Sequence, residues 1–175
     1  MKEHLFNRYG VKQLRFYVKS IEESAQAFAD TFGAGPFFDL GSEPSKWMKY
    51  RGQDSTLTMR CDLGQLADMQ IELIELDTDE PNVYDDTGRC GLHHLCIWTD
   101  DYDKTVEEFL AEGFEEAMKL ESIDGRRASY FDCRDVFGIF IKVNAPSADL
   151  WNAVKAKADS WDGERALLSM SDLLS

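Results

Sequence analysis

Gln13, Ile21, Ala25 and Phe28 each have a counterpart 81 residues later, in His94, Tyr102, Val106 and Phe109. An offset shared by a strand and the helix after it marks internal repetition. Each half reads strand, helix, then about three strands, so the chain is predicted to be α+β, built from two βαβββ modules. Module one covers about residues 11–76 and module two about 91–144, in a single domain over 1–146 with a helical extension over 147–175. Each open four-stranded sheet has one apolar face to cover, so the modules need each other.

The local patterns support this division. Residues 11–18 alternate and are rich in β-branched and aromatic side chains, placing Gln13, Arg15 and Tyr17 on one face of a strand. Ser20 and Glu23 form a capping box, Ile21, Ala25, Phe28 and Phe32 trace one stripe, and Gly33 supplies the stop, which predicts a helix over 21–32. Strands are expected at 36–40, 47–51, 55–62 and 69–76, with Gly41, Ser42, Pro44 and Ser45 forming one loop and residues 63–67 another. In the 69–76 strand Gln70, Glu72 and Ile74 face one way. The acids, Pro81 and Gly88 of 77–90 read as a solvated connector. Further on, Asp100 or Asp101 caps a second helix with Tyr102, Val106, Phe109 and Leu110 as its stripe, stopped near Gly113. Strands over 114–120, 128–133 and 139–144 follow, the first two joined by a tight turn at Asp124-Gly125, and residues 147–175 show helical spacing.

The segment Gly91-Leu92-His93-His94-Leu95-Cys96-Ile97-Trp98-Thr99-Asp100 holds two of the three histidines. Alternation puts His94, Cys96 and Trp98 on one face and turns His93 away, as a structural residue. A lone imidazole on a strand is more often a hydrogen-bonded core residue than a catalyst, so only partners elsewhere can give His94 a function.

Composition narrows the partners. With 19 basic and 33 acidic residues the formal charge is −14, which repels phosphate backbones and anionic membranes; nucleic acid and membrane are not expected as partners. Four cysteines without CxxC spacing, and a start without an apolar leader, predict reduced thiols in a cytoplasmic protein.

The paired modules, the segment from Gly91 to Ile97 with Asp100 after it, and Gln70-Ile71-Glu72-Leu73-Ile74-Glu75 closing module one together resemble the vicinal oxygen chelate superfamily. That group takes in glyoxalase I, methylmalonyl-CoA epimerase, bleomycin-resistance proteins and extradiol dioxygenases, and the epimerase-like branch is the nearest. The resemblance covers about residues 11–144 and implies curved mixed sheets around a cleft that usually holds a divalent metal. The family's four metal positions fall on Gln13, Glu72, His94 and Lys142. Glu72 and His94 suit a metal, with Gln13 adding a neutral amide oxygen. Lys142 stands where the family has a carboxylate, and its ammonium repels a cation.

A degenerate site is therefore expected, with no cofactor and weak divalent metal binding. Like unit charges at ~4 Å cost about 4 kcal/mol at an effective dielectric of about 20, so Lys142→Glu is expected to raise affinity for Ni²⁺, Co²⁺ or Zn²⁺ by orders of magnitude and Lys142→Met by less. Lys142 beside Glu72 in the cleft can supply the metal's electrostatic role, stabilising an enolate oxygen. Glu72, His94 and Lys142 are thus the candidate catalytic residues, and Gln13, Arg15, Tyr17 and Trp98 the candidate substrate contacts, suited to an anionic, partly apolar small molecule. Arg126 and Arg127, beside a turn, read as solvated.

The resemblance implies a lyase or isomerase acting on a carbon acid next to a carbonyl. The other reading is a non-catalytic protein that sequesters its ligand, and an iron dioxygenase is remote because only one suitable histidine is placed. A homodimer is expected, since Leu150, Trp151, Val154, Leu167, Leu168, Leu173 and Leu174 lie beyond the repeat and need cover.

Overall fold

A computed structural model describes residues 4–42 and 45–175; Pro44 of the predicted loop lies outside the described residues. After α1 (Leu5–Tyr9), module one runs β1 (Gln13–Tyr17), α2 (Ile21–Phe32), β2 (Phe37–Asp39), β3 (Trp47–Tyr50), β4 (Gln53–Ser55), β5 (Met59–Leu66) and β6 (Met69–Leu76). Module two runs β7 (Gly91–Trp98), α3 (Tyr102–Ala111), β8 (Glu115–Glu121), β9 (Arg127–Asp132), α4 (Arg134–Phe137) and β10 (Phe140–Asn144). The chain closes with α5 (Ala148–Asp159), β11 (Leu167–Leu168) and α6 (Met170–Leu173).

The strands form one curved, unclosed sheet in the order β11-β2-β5-β6-β1-β7-β10-β9-β8-β3-β4. Its centre is the antiparallel pair β1–β7, where Arg15 faces His94 and Gln13 faces Cys96; β6 and β10 flank this pair in parallel. The two βαβββ modules are thus related by a pseudo-twofold axis between β1 and β7, the structural counterpart of the 81-residue offset. The offset shortens to 70 residues between Glu72 and Lys142 because module one carries the extra β3–β4 hairpin. That hairpin leaves its own module and pairs with β8, Trp47 opposite Glu121.

Helices α2 and α3 cover the outer face. Ser20 caps α2 through the Glu23 amide at 3.2 Å and Gly33 ends it at φ 65°, while Ile21 and Ala25 are fully buried against β1 and β6 with Phe16, Phe28 and Phe37. α3, capped by Asp101, packs Phe109 on Phe131, Ile141 and Val143. Each such side chain contributes roughly 1.5–3 kcal/mol of burial. Among the described residues no helix is long and apolar enough to cross a membrane.

Four expectations need correction. Residues 63–67 are not a loop: β5 continues to Leu66 and turns through Ala67, at φ 49°, into β6. Gly64 stands mid-strand because a Cβ there would lie 2.6 Å from the Phe37 ring. The strand expected over 55–62 is likewise split, β4 ending at Ser55 and β5 starting at Met59. The 77–90 connector is not simply solvated, since Asn82, Val83 and Tyr84 are buried; its acids belong to pairs such as Asp86 with Arg51, while Tyr84 drops into the inner core. The C-terminal extension is helical over α5 and α6, with irregular chain over 160–166 and then β11, which joins the sheet beside β2 because β2 is otherwise an open edge.

Candidate functional site

The concave face of the central strands carries a band of polar side chains. Register places Arg15 between Glu72 and His94, Gln13 between Gln70 and Cys96, and Lys142 next to Cys96. Gln13, Arg15, Glu72 and Lys142 all line one cavity of about 200 Å³, together with Leu63, Asn144 and, from α5, Leu150. Arg126 and Arg127 stand on the same wall, half-open to solvent and paired with Asp124 and Asp103.

Arg15 is the hub of this band. Only 7% exposed, it forms an ion pair with Glu72, itself 4% exposed, and donates from Nε to Gln13 Oε1 at 3.2 Å. Gln13 in turn donates its amide N–H to Gln70. Burial works against the guanidinium's charge, but the Glu72 carboxylate more than offsets it, and the Arg15 pKa is raised. The carboxylate's cation is thus Arg15 and not, as the sequence suggested, Lys142. The Lys142 ammonium instead stands 5.2 Å from the centre of the Tyr130 ring and, among the described residues, makes no ion pair.

His94 lies beneath the cavity rather than on its wall, fully buried against Tyr130 at 5.0 Å between ring centres. His93 does not point away from it: their Nδ1 atoms are 2.9 Å apart. The cause is a β-bulge, in which Leu92 and His94 face the consecutive residues Phe16 and Arg15, so His93 is the extra residue and turns inward. There it lies between Tyr84 and Phe140, stacked at 4.4 and 5.1 Å. The hydrogen bonds fix the tautomers. His93 Nε2 donates to the Val83 carbonyl at 2.9 Å, so in the neutral ring its Nδ1 must accept, and His94 Nδ1 donates. His94 Nε2 is left with a buried lone pair and no hydrogen-bond partner among the described residues. Burial pushes the His93 pKa down to about 4 and that of His94 well below its usual value, with His93, Arg15 and Lys142 adding to the second shift.

Two proposed contacts lie elsewhere. Tyr17 packs on Tyr84 at 5.8 Å within the inner core, covered by the 77–90 segment. Trp98 is drawn to Trp151 of α5 at 5.6 Å and lines a separate groove with Arg8 and Tyr9. Sequence reasoning missed Tyr130, which the β9–β10 register sets directly opposite Lys142, and Tyr84, hidden in an acidic loop.

The residues do not fit a divalent metal. Gln13 Oε1 and Glu72 Oε2 are turned to the Arg15 guanidinium, and Lys142 offers no lone pair while charged, which leaves His94 Nε2 as the one nitrogen donor of the set without a hydrogen-bond partner among the described residues. Among the described residues no three His, Cys, Asp or Glu side chains converge on one point.

Two modules meeting at a pseudo-twofold axis, with a polar band across the concave face of their shared sheet, define a class of fold. The profile of the Glyoxalase/Bleomycin resistance protein/Dioxygenase superfamily matches residues 12–130, and the chain belongs to that superfamily. Among solved structures it is similar to methylmalonyl-CoA epimerase from Mycobacterium tuberculosis, with 16% identity, a TM-score of 0.55, and 81% of this chain and 91% of that one covered. A hypothetical protein from Bacillus halodurans C-125 gives 15% identity, a TM-score of 0.51, and 78% and 94% coverage. A substituted Streptomyces coelicolor methylmalonyl-CoA epimerase in complex with 2-nitronate-propionyl-CoA gives 14%, 0.50, and 78% and 96%. At such identities the likeness is one of fold. No curated protein matches the sequence.

Proposed function

We propose that the chain acts on a small anionic molecule bearing a carbonyl, as a glyoxalase-like isomerase or lyase. The observation that carries this reading is Glu72, among the described residues the one acid on a cavity wall that also presents Arg15, Lys142, Arg126 and Arg127. In a chain of charge −14 such a lining concentrates anions where a carboxylate stands.

Glu72 takes the proton from the carbon next to the carbonyl. The electron pair moves onto the carbonyl oxygen, which accepts a hydrogen bond from the Lys142 ammonium. Where the proton-bearing carbon also carries a hydroxyl, return of the proton by Glu72 on the same face to the former carbonyl carbon gives an isomer, and loss of a leaving group from the next carbon gives elimination. Arg15 holds Glu72 in place and Gln13 completes the wall. His94, off the wall, sets the floor and is not the base in this scheme. The four free cysteines and the acidic charge support a cytoplasmic setting.

A second reading, ligand sequestration without turnover, is favoured by the Arg15–Glu72 pair: a carboxylate engaged by a buried guanidinium must be released before it can take a proton. Proton NMR in D₂O separates the two. A panel of 2-oxo acids and a 2-methylmalonyl thioester is incubated with the protein, and enzyme-dependent loss of a carbon-bound proton is the expected result. Glu72→Gln should slow that exchange by about a hundredfold or more while binding persists. Saturable binding with no exchange across the panel supports sequestration and overturns the enzyme reading.

A further inference from the structure

We propose that Arg15 is the built-in cation of this site, standing where a divalent ion would have to bridge Gln13, Glu72 and His94, so that the site takes no metal. The register makes Arg15 the centre of that ring, opposite His94 on β7, beside Glu72 on β6, and two residues along the same face from Gln13. Its guanidinium engages the oxygens of both Glu72 and Gln13. An ion entering here has to displace these N–H donors, approach a guanidinium that remains tethered to β1, and meet the Lys142 ammonium on the same wall. A guanidinium also differs in kind from a metal: its charge is spread over a plane, its donors point in fixed directions, and it has no open coordination position. Arg15 is thus a positioning residue that orients Glu72.

The inference stands apart from the carbon-acid chemistry, because its readout is metal uptake rather than turnover. Chelator-stripped protein is titrated calorimetrically with Zn²⁺, Co²⁺ and Ni²⁺, as wild type, Lys142→Glu, Arg15→Ala and the double variant, with folding checked by circular dichroism. Wild type is expected to show no stoichiometric uptake. Lys142→Glu alone should gain less than about tenfold because the guanidinium still claims Glu72 and Gln13, while the double variant should gain about a hundredfold or more. The ring ¹⁵N signal of His94 Nε2 should stay unmoved by Zn²⁺ in wild type and shift in the double variant.

One equivalent of tightly held metal in wild type, lost on His94→Ala, would overturn the proposal. So would a hundredfold gain in Lys142→Glu with Arg15 intact, an outcome that decides the matter even if the Arg15 variants do not fold. Failure of the double variant, once folded, to bind better than Lys142→Glu also counts against it.

Discussion

Removing one member of a buried ion pair strands the other, and Arg15 and Glu72 have side chains only 9% and 5% exposed. Arg15→Ala is expected to lower stability by about 3–5 kcal/mol in urea unfolding. Arg15→Met with Glu72→Leu, which leaves no charge behind, should recover much of that loss; a double variant as unstable as Arg15→Ala would refute the pairing argument. His93 gives a pH prediction. The unfolded chain takes up that proton near pH 6.5 and the folded one only near 4, so stability is complete above the first value and falls as pH drops between them. The contribution is roughly 3 kcal/mol. Asp62, raised by burial to about 6, acts in the opposite sense over part of the window, so the comparison must be with His93→Gln, in which Asp62 cancels. Equal losses of stability between pH 7 and pH 4.5 in the two proteins would rule out the His93 contribution. At this scale alternation placed Gln13, Arg15, Glu72 and His94 on one face. It could not place His93, because a bulge has no signal in a period of two, nor tell which cation a long side chain would bring to Glu72.

The elements were legible where periodicity and caps agreed, as in α2 with Ser20 and Gly33, and illegible where a residue was there for packing. Gly64 is the clearest case: it falls within the range expected to be a loop, 63–67, but lies mid-strand under Phe37. Gly64→Ala is expected to cost about 1–3 kcal/mol through overpacking, since Phe37 is fully buried and has little room to withdraw. A thermal melt unchanged from wild type would show that the contact yields. The connector 77–90 failed for another reason. Its acids outnumber its apolar residues, yet Val83 and Tyr84 are the ones that decide its path, through the Val83 carbonyl that accepts from His93 and the Tyr84 ring that stacks on it.

For the whole molecule, the repeat made the paired modules readable, whereas the uses of the added segments, α5 with β11 and the β3–β4 hairpin, were not, because they have no counterpart in the other half. α5 lies against β5, where Val154 and Leu173 bury Phe38 and Leu63 and Leu150 reaches the cavity. Truncation after Asn144 should therefore expose the inner face of module one, seen as a large rise in binding of a hydrophobic dye; no rise would mean that this face closes without α5. The C-terminal leucines that argued for a dimer find much of their cover within the chain. We retain the homodimer as a proposal on family grounds, and light scattering at about tens of micromolar giving the 20.0 kDa mass of a single chain would dispose of it.

The β3–β4 hairpin also sets an order of events during synthesis. When the ribosome has joined the first ninety residues or so, the hairpin is complete, but β8, its only strand partner outside itself among the described residues, is still untranslated. Met48, buried in the finished protein, must wait for a partner, Leu120, that lies 72 residues further along the chain. The nascent first half thus carries an unsatisfied apolar strand edge that an assisting chaperone could recognise, and the second half completes its neighbour as well as itself.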